Sequence, residues 1–136
     1  MTDTRTAALA EDLAELLRQP ANLYLTTLMP DGSPQTTMTW ADTDGERVLV
    51  NTLVHTQKHR NVLRDPRVSF AVSAPGDPMR YVAGRGRVVE VTEDEGGEHV
   101  DGLARRYVGV PFAQMGGEAG RRVVLHIAVD RLHGMG

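Results

Sequence analysis

The chain has 136 residues, which fits one domain with one hydrophobic core and leaves little room for a second. It has no cysteine, which excludes disulfide scaffolds, thiolate catalysis and cysteine zinc sites together. A net charge of −3 gives no global attraction to nucleic acid, and no apolar run approaches the ~20 residues of a membrane helix. There is no basic segment followed by a long apolar stretch at the start, so a cytoplasmic setting is expected.

Residues 6 to 18 predict an amphipathic helix, with Leu9, Leu13, Leu16 and Leu17 on one face and Pro20 beyond its end. Residues 22 to 29 are rich in β-forming types, and Pro30-Asp31-Gly32-Ser33 makes a turn into a second strand over 35 to 41. A turn over Asp42 to Gly45 leads into a third strand, Val48 to Leu53. Thr56 can cap a short helix through Arg64, with Val62 and Leu63 facing inward and Asp65-Pro66 ending it. Arg67 to Ser73 reads as a fourth strand and Ala74 to Pro78 as a loop. Arg80 to Val91 is a long strand whose Gly84 and Gly86 suggest a bend, a bulge or the close approach of another group. Thr92 and Glu95 resemble a capping box opening a helix to about Tyr107. Residues 109 to 120 form a Gly-rich loop, and Val123 to Val129 a last strand. About six closely spaced antiparallel strands with flanking helices make the chain mainly β and favour a barrel over an open sheet.

The most informative segment runs from Asn51 to Ser69. A strand ends in polar residues, and a helix opens near Thr56 with Lys58 and Arg60 close by. Lys58 is the only lysine among fifteen basic residues. Free backbone N–H groups at a helix start beside cations suit an anion such as phosphate. A solvated basic helix packed on the barrel explains the same spacing equally well. None of the histidines, His55, His59, His99, His126 and His133, shows zinc spacing, and His126 suits a satisfied core position. Glu93, Asp94 and Glu95 suit a helix N-terminus. Ser33, Ser69 and Ser73 lack a nucleophile-elbow pattern, and Gly84-Arg85-Gly86 matches too little for a dinucleotide loop. Trp40, Tyr24, Tyr81, Tyr107, Phe70 and Phe112 are more often core than stacking platforms for single-stranded nucleic acid. With no metal site and no catalytic acid, base or nucleophile in view, an anion site on a barrel points to a bound cofactor that carries the chemistry itself.

Lys58-His59-Arg60-Asn61 followed by Leu63-Arg64-Asp65-Pro66-Arg67-Val68-Ser69 resembles the signature of the pyridoxamine-phosphate-oxidase-like split β-barrel superfamily, closest to its flavin/deazaflavin oxidoreductases of the B group. The opening helix, Leu25-Thr26-Thr27 with Asp31-Gly32-Ser33-Pro34-Gln35, Tyr81, Gly84, Gly86 and Arg121-Arg122-Val123 fit the same pattern. The resemblance implies a homodimer with cofactor sites at its interface, acting on a small conjugated acceptor, with no nucleic-acid or membrane partner. It implies that Thr37, Met38, Thr39 and Trp40 line the ring pocket and that Asn51, Thr52, Gln57 and Lys58 hold phosphate. Met79, Tyr81 and Arg122 would contribute from adjoining strands, and the family geometry also allows a contribution across the dimer. Asn61 would fix the loop rather than touch ligand. Family members often carry a second basic residue just before the lysine. Here Thr56 and Gln57 stand there, so Arg60, Arg121 or Arg122 would have to compensate. The resemblance implies coenzyme F-420 first and FMN second, with a non-catalytic carrier as a further reading. Pyridoxal phosphate synthesis is not expected, because 136 residues look too short to include the substrate-binding C-terminal segment of those enzymes.

Overall fold

The computed structural model describes residues 4–116 and 120–135. The first helix, α1 (Thr4–Leu17), forms where the leucine spacing predicts it, and Leu9, Leu13, Leu16 and Leu17 are all buried. Seven strands build one antiparallel sheet: β1 (Leu23–Leu28), β2 (Pro34–Thr39), β3 (Ala41–Thr43), β4 (Val48–Leu53), β5 (Arg67–Ala74), β6 (Asp77–Glu93) and β7 (Arg122–Met135). Their order across the sheet is β2-β1-β5-β6-β7-β4-β3. Helix α2 (Gln57–Arg64) joins β4 to β5, and α3 (Glu98–Tyr107) lies between β6 and β7.

The sheet curls because its two longest strands serve different neighbours along their length. The first part of β6 pairs with β5 through Arg67↔Arg87, while β7 follows β6 out to Glu93↔Val123. The start of β7 then pairs with β4 from Leu53↔Arg122 to Val48↔Ile127. Register shifts at Arg85/Gly86 and Val88/Glu90 bend β6. Gly86 is there because another chain segment comes close: a Cβ would overlap the Ala128 carbonyl. The edge strands β2 and β3 are neighbours in sequence, joined at Trp40, yet they do not pair with each other among the described residues. The barrel is therefore split at that seam rather than closed. Its core is Leu23, Leu25, Val50, Val72, Leu125 and Ile127, covered by the leucines of α1. Each buried leucine contributes about 1.5–3 kcal/mol.

Several local expectations change. The strand expected over 35 to 41 breaks at Trp40, and Ala41–Thr43 pairs with β4 instead, giving seven strands rather than six. Asp42 thus lies in a strand, and the turn follows it, held by Asp44 Oδ1 accepting the N–H groups of Glu46 and Arg47. The loop expected at Ala74 to Pro78 is a tight turn, with β6 starting at Asp77. The helix expected from Thr92 starts only at Glu98. Gly96 and Gly97 have φ of 73° and 70°, which a right-handed helix does not accept. Thr92 stays in β6, and its hydroxyl meets His126 Nε2 at 2.8 Å. That contact satisfies a half-buried rather than a core histidine. Asp94 caps α3 in place of Thr92: its Oδ1 and Oδ2 accept the N–H groups of His99 and Val100. Val62 packs inward as expected, but Leu63 is 63% exposed, since one turn of a short helix buries a single stripe. The last strand extends well beyond Val129. The Gly-rich loop contains a 3-10 turn, Phe112–Met115, and its residues 117–119 lie outside the described residues. No helix among the described residues is long and apolar enough to cross a membrane.

Candidate functional site

The turn between β4 and α2 is tightly tied. His55 takes a positive φ of 71°, a costly conformation for a residue with a Cβ. Its N–H donates to His59 Nδ1 at 3.0 Å. Thr56 stands at the N-cap position, but its hydroxyl turns back to donate to the Leu53 carbonyl, so no side chain caps α2. Asn61, fully buried, locks α2 onto β1. Its Nδ2 donates to Thr27 Oγ1 at 3.0 Å, and its Oδ1 accepts from Gln57 Nε2 at 2.8 Å and Arg64 Nη2 at 3.2 Å. The expected loop-fixing role of Asn61 matches this geometry.

These contacts set one wall of a pocket of about 290 Å³ at the open seam. Met38, Thr39 and Trp40 come from the end of β2 and the break after it. Asn51, Thr52 and Leu53 come from β4, Thr56 and Lys58 from the start of α2, and Arg122 from the start of β7. Val100 and Leu103 of α3 and Phe112 close the far side. Thr37, Gln57, Met79 and Tyr81 are not in this wall. Thr37 lies two residues before Thr39 on the same face of β2, and its buried hydroxyl has no hydrogen-bond partner among the described residues. Gln57 is engaged with Asn61 and Arg60. Met79 and Tyr81 lie near the start of β6, where Tyr81 pairs with Ser73 and Met135.

Among the described residues the pocket carries two cations and no carboxylate. Burial pushes the Lys58 ammonium below its ordinary value of 10.5, and the positive charge of Arg122 adds to that. Arg122 Nη1 donates to Asn51 Oδ1 at 3.0 Å, and its guanidinium lies 4.8 Å from the centre of the Phe112 ring. Of the three arginines considered as substitutes for a second basic residue, only Arg122 faces Lys58. Arg60 donates to Gln57, and Arg121 is paired with Glu93. A larger cleft of about 680 Å³ adjoins across Phe112 and Arg122. Glu93, Asp94, Glu95, Glu98 and Asp101 outnumber Arg121 and Arg122 in its lining, a balance that disfavours phosphate, so the smaller pocket is the candidate anion site.

Helix α3 braces both ends of that pocket, a role no local sequence signal announces. Asp42 holds it from below: Arg106 donates to Asp42 Oδ1 from both terminal nitrogens at 3.1 Å, and His99 Nε2 lies 3.3 Å from Oδ2. Burial raises the Asp42 pKa, but the His99 contact, the Thr43 N–H and Arg106 outweigh it and hold the carboxyl at about 2. At the other end Tyr107 stacks under Trp40, with ring centres 5.3 Å apart and planes 17° from parallel. Its hydroxyl donates to the Ala21 carbonyl at 2.6 Å and accepts the Ala41 N–H at 3.0 Å. The break after β2 is thus satisfied by a side chain instead of a neighbouring strand.

A family model for pyridoxamine 5'-phosphate oxidase matches residues 9–136. An F420 reductase of known structure is similar over 88% of this chain and 94% of its own, with 30% identity and a TM-score of 0.78. A conserved hypothetical protein from Mycobacterium tuberculosis is 28% identical over 90% of this chain and 81% of its own, with a TM-score of 0.69. General Stress Protein 26 from Bacillus anthracis shares the fold at a TM-score of 0.66 over 92% of each chain, with 17% identity. No curated protein is significantly similar to the chain.

Proposed function

Because the chain belongs to the pyridoxamine 5'-phosphate oxidase family, whose members bind flavins, we propose that it is an oxidoreductase using a phosphate-bearing flavin-type cofactor in the seam pocket. Coenzyme F-420 is the preferred cofactor and FMN the alternative; the reaction moves hydride between that cofactor and a small conjugated organic acceptor. The observation that carries this reading is the pairing of Lys58 with Arg122 in a half-enclosed pocket whose described wall has no acid. Such a pair suits a phosphate, which accepts charge-assisted hydrogen bonds from both. The similarity to an F420 reductase favours the deazaflavin over FMN.

In this reading Lys58 and Arg122 grip the phosphate, while the Thr52 and Thr56 hydroxyls, 3.0 Å apart and tied back to the Leu53 carbonyl, shape the wall beside it. Met38, Thr39 and the Trp40 plate form the apolar side that receives the ring, and the unpartnered Thr37 hydroxyl supplies a donor farther along the same face. When bound, the cofactor ring supplies the centre that accepts and releases hydride. The side chains supply position, charge and exclusion of water.

The working unit is a homodimer in the cytoplasm. The outward face of the sheet supports the dimer: Met38, Tyr24, Ala71 and Ala83 stand side by side on β2, β1, β5 and β6. Met38 is 50%, Tyr24 49% and Met79 65% exposed, and such a row of apolar side chains suits a second copy. Met79 and Tyr81 border that stripe, where they would meet the partner's site.

Fluorescence titration of the purified protein with F-420 and with FMN tests the reading. Binding of either with micromolar affinity or better, weakened in both Lys58→Ala and Arg122→Ala, is expected. Binding of neither cofactor, or binding indifferent to both substitutions, overturns it. Binding without hydride transfer to any conjugated acceptor would leave a carrier rather than an enzyme.

A further inference from the structure

The side chain of Asn51 faces the same pocket as Lys58 and Arg122, and an asparagine beside a phosphate site is ordinarily taken for a ligand. Its hydrogen bonds argue otherwise. An asparagine amide has two N–H donors and one acceptor oxygen. Here Nδ2 lies 3.0 Å from Asp94 Oδ2 and 3.0 Å from His99 Nδ1, so both donors are committed. Oδ1 accepts from Arg122 Nη1. The opposite amide orientation would set N–H against N–H at Arg122 and oxygen against carboxylate at Asp94, so the network fixes the flip. What remains on Asn51 for an incoming anion is an oxygen lone pair, which repels it.

The partners of Asn51 are themselves immobilised. Asp94 is held by the His99 and Val100 N–H groups at the start of α3. His99 accepts at Nδ1, so its proton resides on Nε2, the atom that faces Asp42. Asp42 in turn is gripped by Arg106.

We propose that Asn51 is a positioning residue: it does not touch the phosphate but aims the Arg122 guanidinium at it, with Asp94 and His99 holding Asn51 in the one orientation that does so. This rests on the seam pocket being the phosphate site. It follows that Asn51 matters only while Arg122 is present, and only for ligands that carry a phosphate.

A double-substitution cycle on the full chain reads this out, with F-420 and its phosphate-free deazariboflavin counterpart as probes. Arg122→Ala should weaken F-420 binding roughly 10- to 100-fold, as expected for loss of a charged hydrogen bond. Asn51→Ala should weaken it roughly three- to tenfold, a modest coupling between two touching side chains. In the Arg122→Ala background Asn51→Ala should cost nothing further, and it should leave the phosphate-free probe unaffected throughout. Equal losses from Asn51→Ala with and without Arg122 would make Asn51 a direct ligand and overturn the proposal. Equal losses for both probes would make it a structural prop, which also overturns it, as does no loss at all where Arg122→Ala shows one. If Arg122→Ala and Lys58→Ala both bind F-420 as wild type does, the pocket reading itself has failed, and the inference falls with it. Asn51→Ser enters the same cycle should the alanine variant not fold.

Discussion

Lys58→Met separates binding from folding. Methionine keeps the apolar stem and removes only the ammonium. In the folded protein that ammonium is half-buried and faces Arg122, and both features disfavour its charge. Without ligand, the variant should therefore melt at the wild-type temperature or somewhat above it. With ligand, the loss of one charge-assisted hydrogen bond to phosphate costs about 1.5–3 kcal/mol, or roughly 10- to 150-fold in Kd. The pH dependence has a definite sign. A lysine whose pKa is lowered on folding leaves the unfolded chain holding more protons between the folded value and 10.5. Wild type should gain stability relative to Lys58→Met as pH rises through that window. The assays are titration with F-420 and FMN, and thermal unfolding across pH without ligand. Wild-type affinity in Lys58→Met refutes the anion site. A melting temperature several degrees lower refutes the claim that the charge strains the fold.

Three further outcomes are expected. A solution mass measurement at micromolar concentration should give about twice the 14.9 kDa of one chain, and Ala71→Arg, in the middle of the outward stripe, should halve it; a wild-type monomer counts against the dimer. Replacing His55, His59, His126 or Tyr81 singly should lower turnover far less than the roughly 100- to 10,000-fold typical of a general acid or base; a loss that large at unchanged cofactor affinity would identify a catalytic residue. Burial and the nearby His55 hold the His59 pKa below 6.5, so the unfolded chain takes up its proton first as pH falls. Stability should then decline from about pH 6.5 downward, and His59→Gln should flatten that decline in denaturant titrations; an identical decline in the variant shows that other groups cause it.

The parts legible in the sequence are those whose cause is local. Four leucines at helical spacing define α1 without reference to anything else. Asp31 forms its turn with Ser33 two residues on, accepting from both the N–H and the hydroxyl of Ser33. Gly84 and Gly86 announce a close approach, although not which carbonyls approach them. The misreadings share an opposite origin. Trp40 has the character of a strand residue, and only the stacking on Tyr107, sixty-odd positions away, explains why the strand stops there. Thr92 and Glu95 have capping-box spacing, but the pairing of Thr92 with Val124 keeps β6 extended to Glu93, and two glycines after Glu95 delay the helix. The place of Lys58 at a helix start is legible locally, whereas the choice of Arg122 over Arg60 and Arg121 as the arginine facing it depends on the register Leu53↔Arg122, which brings β7 beside β4.

Apart from Lys58 and Arg122, this pocket offers shape rather than ionisable groups. The titratable side chains nearest to it are already consumed by the frame. His99 is fixed between Asn51 and Asp42, and Asp94 is bound by two backbone N–H groups and an amide. Tyr107 bridges two backbone groups, and burial raises its pKa, so it keeps its proton. None of these groups can exchange a proton with a ligand without releasing the strand or helix it holds. What faces the pocket outside that frame is Lys58 and the Trp40 plate, groups that bind and orient. With these acids and bases committed to holding α3, the proposed reaction draws its reactivity from the bound cofactor. Hydride transfer on a flavin-type ring is chemistry that asks a protein for little more than that placement.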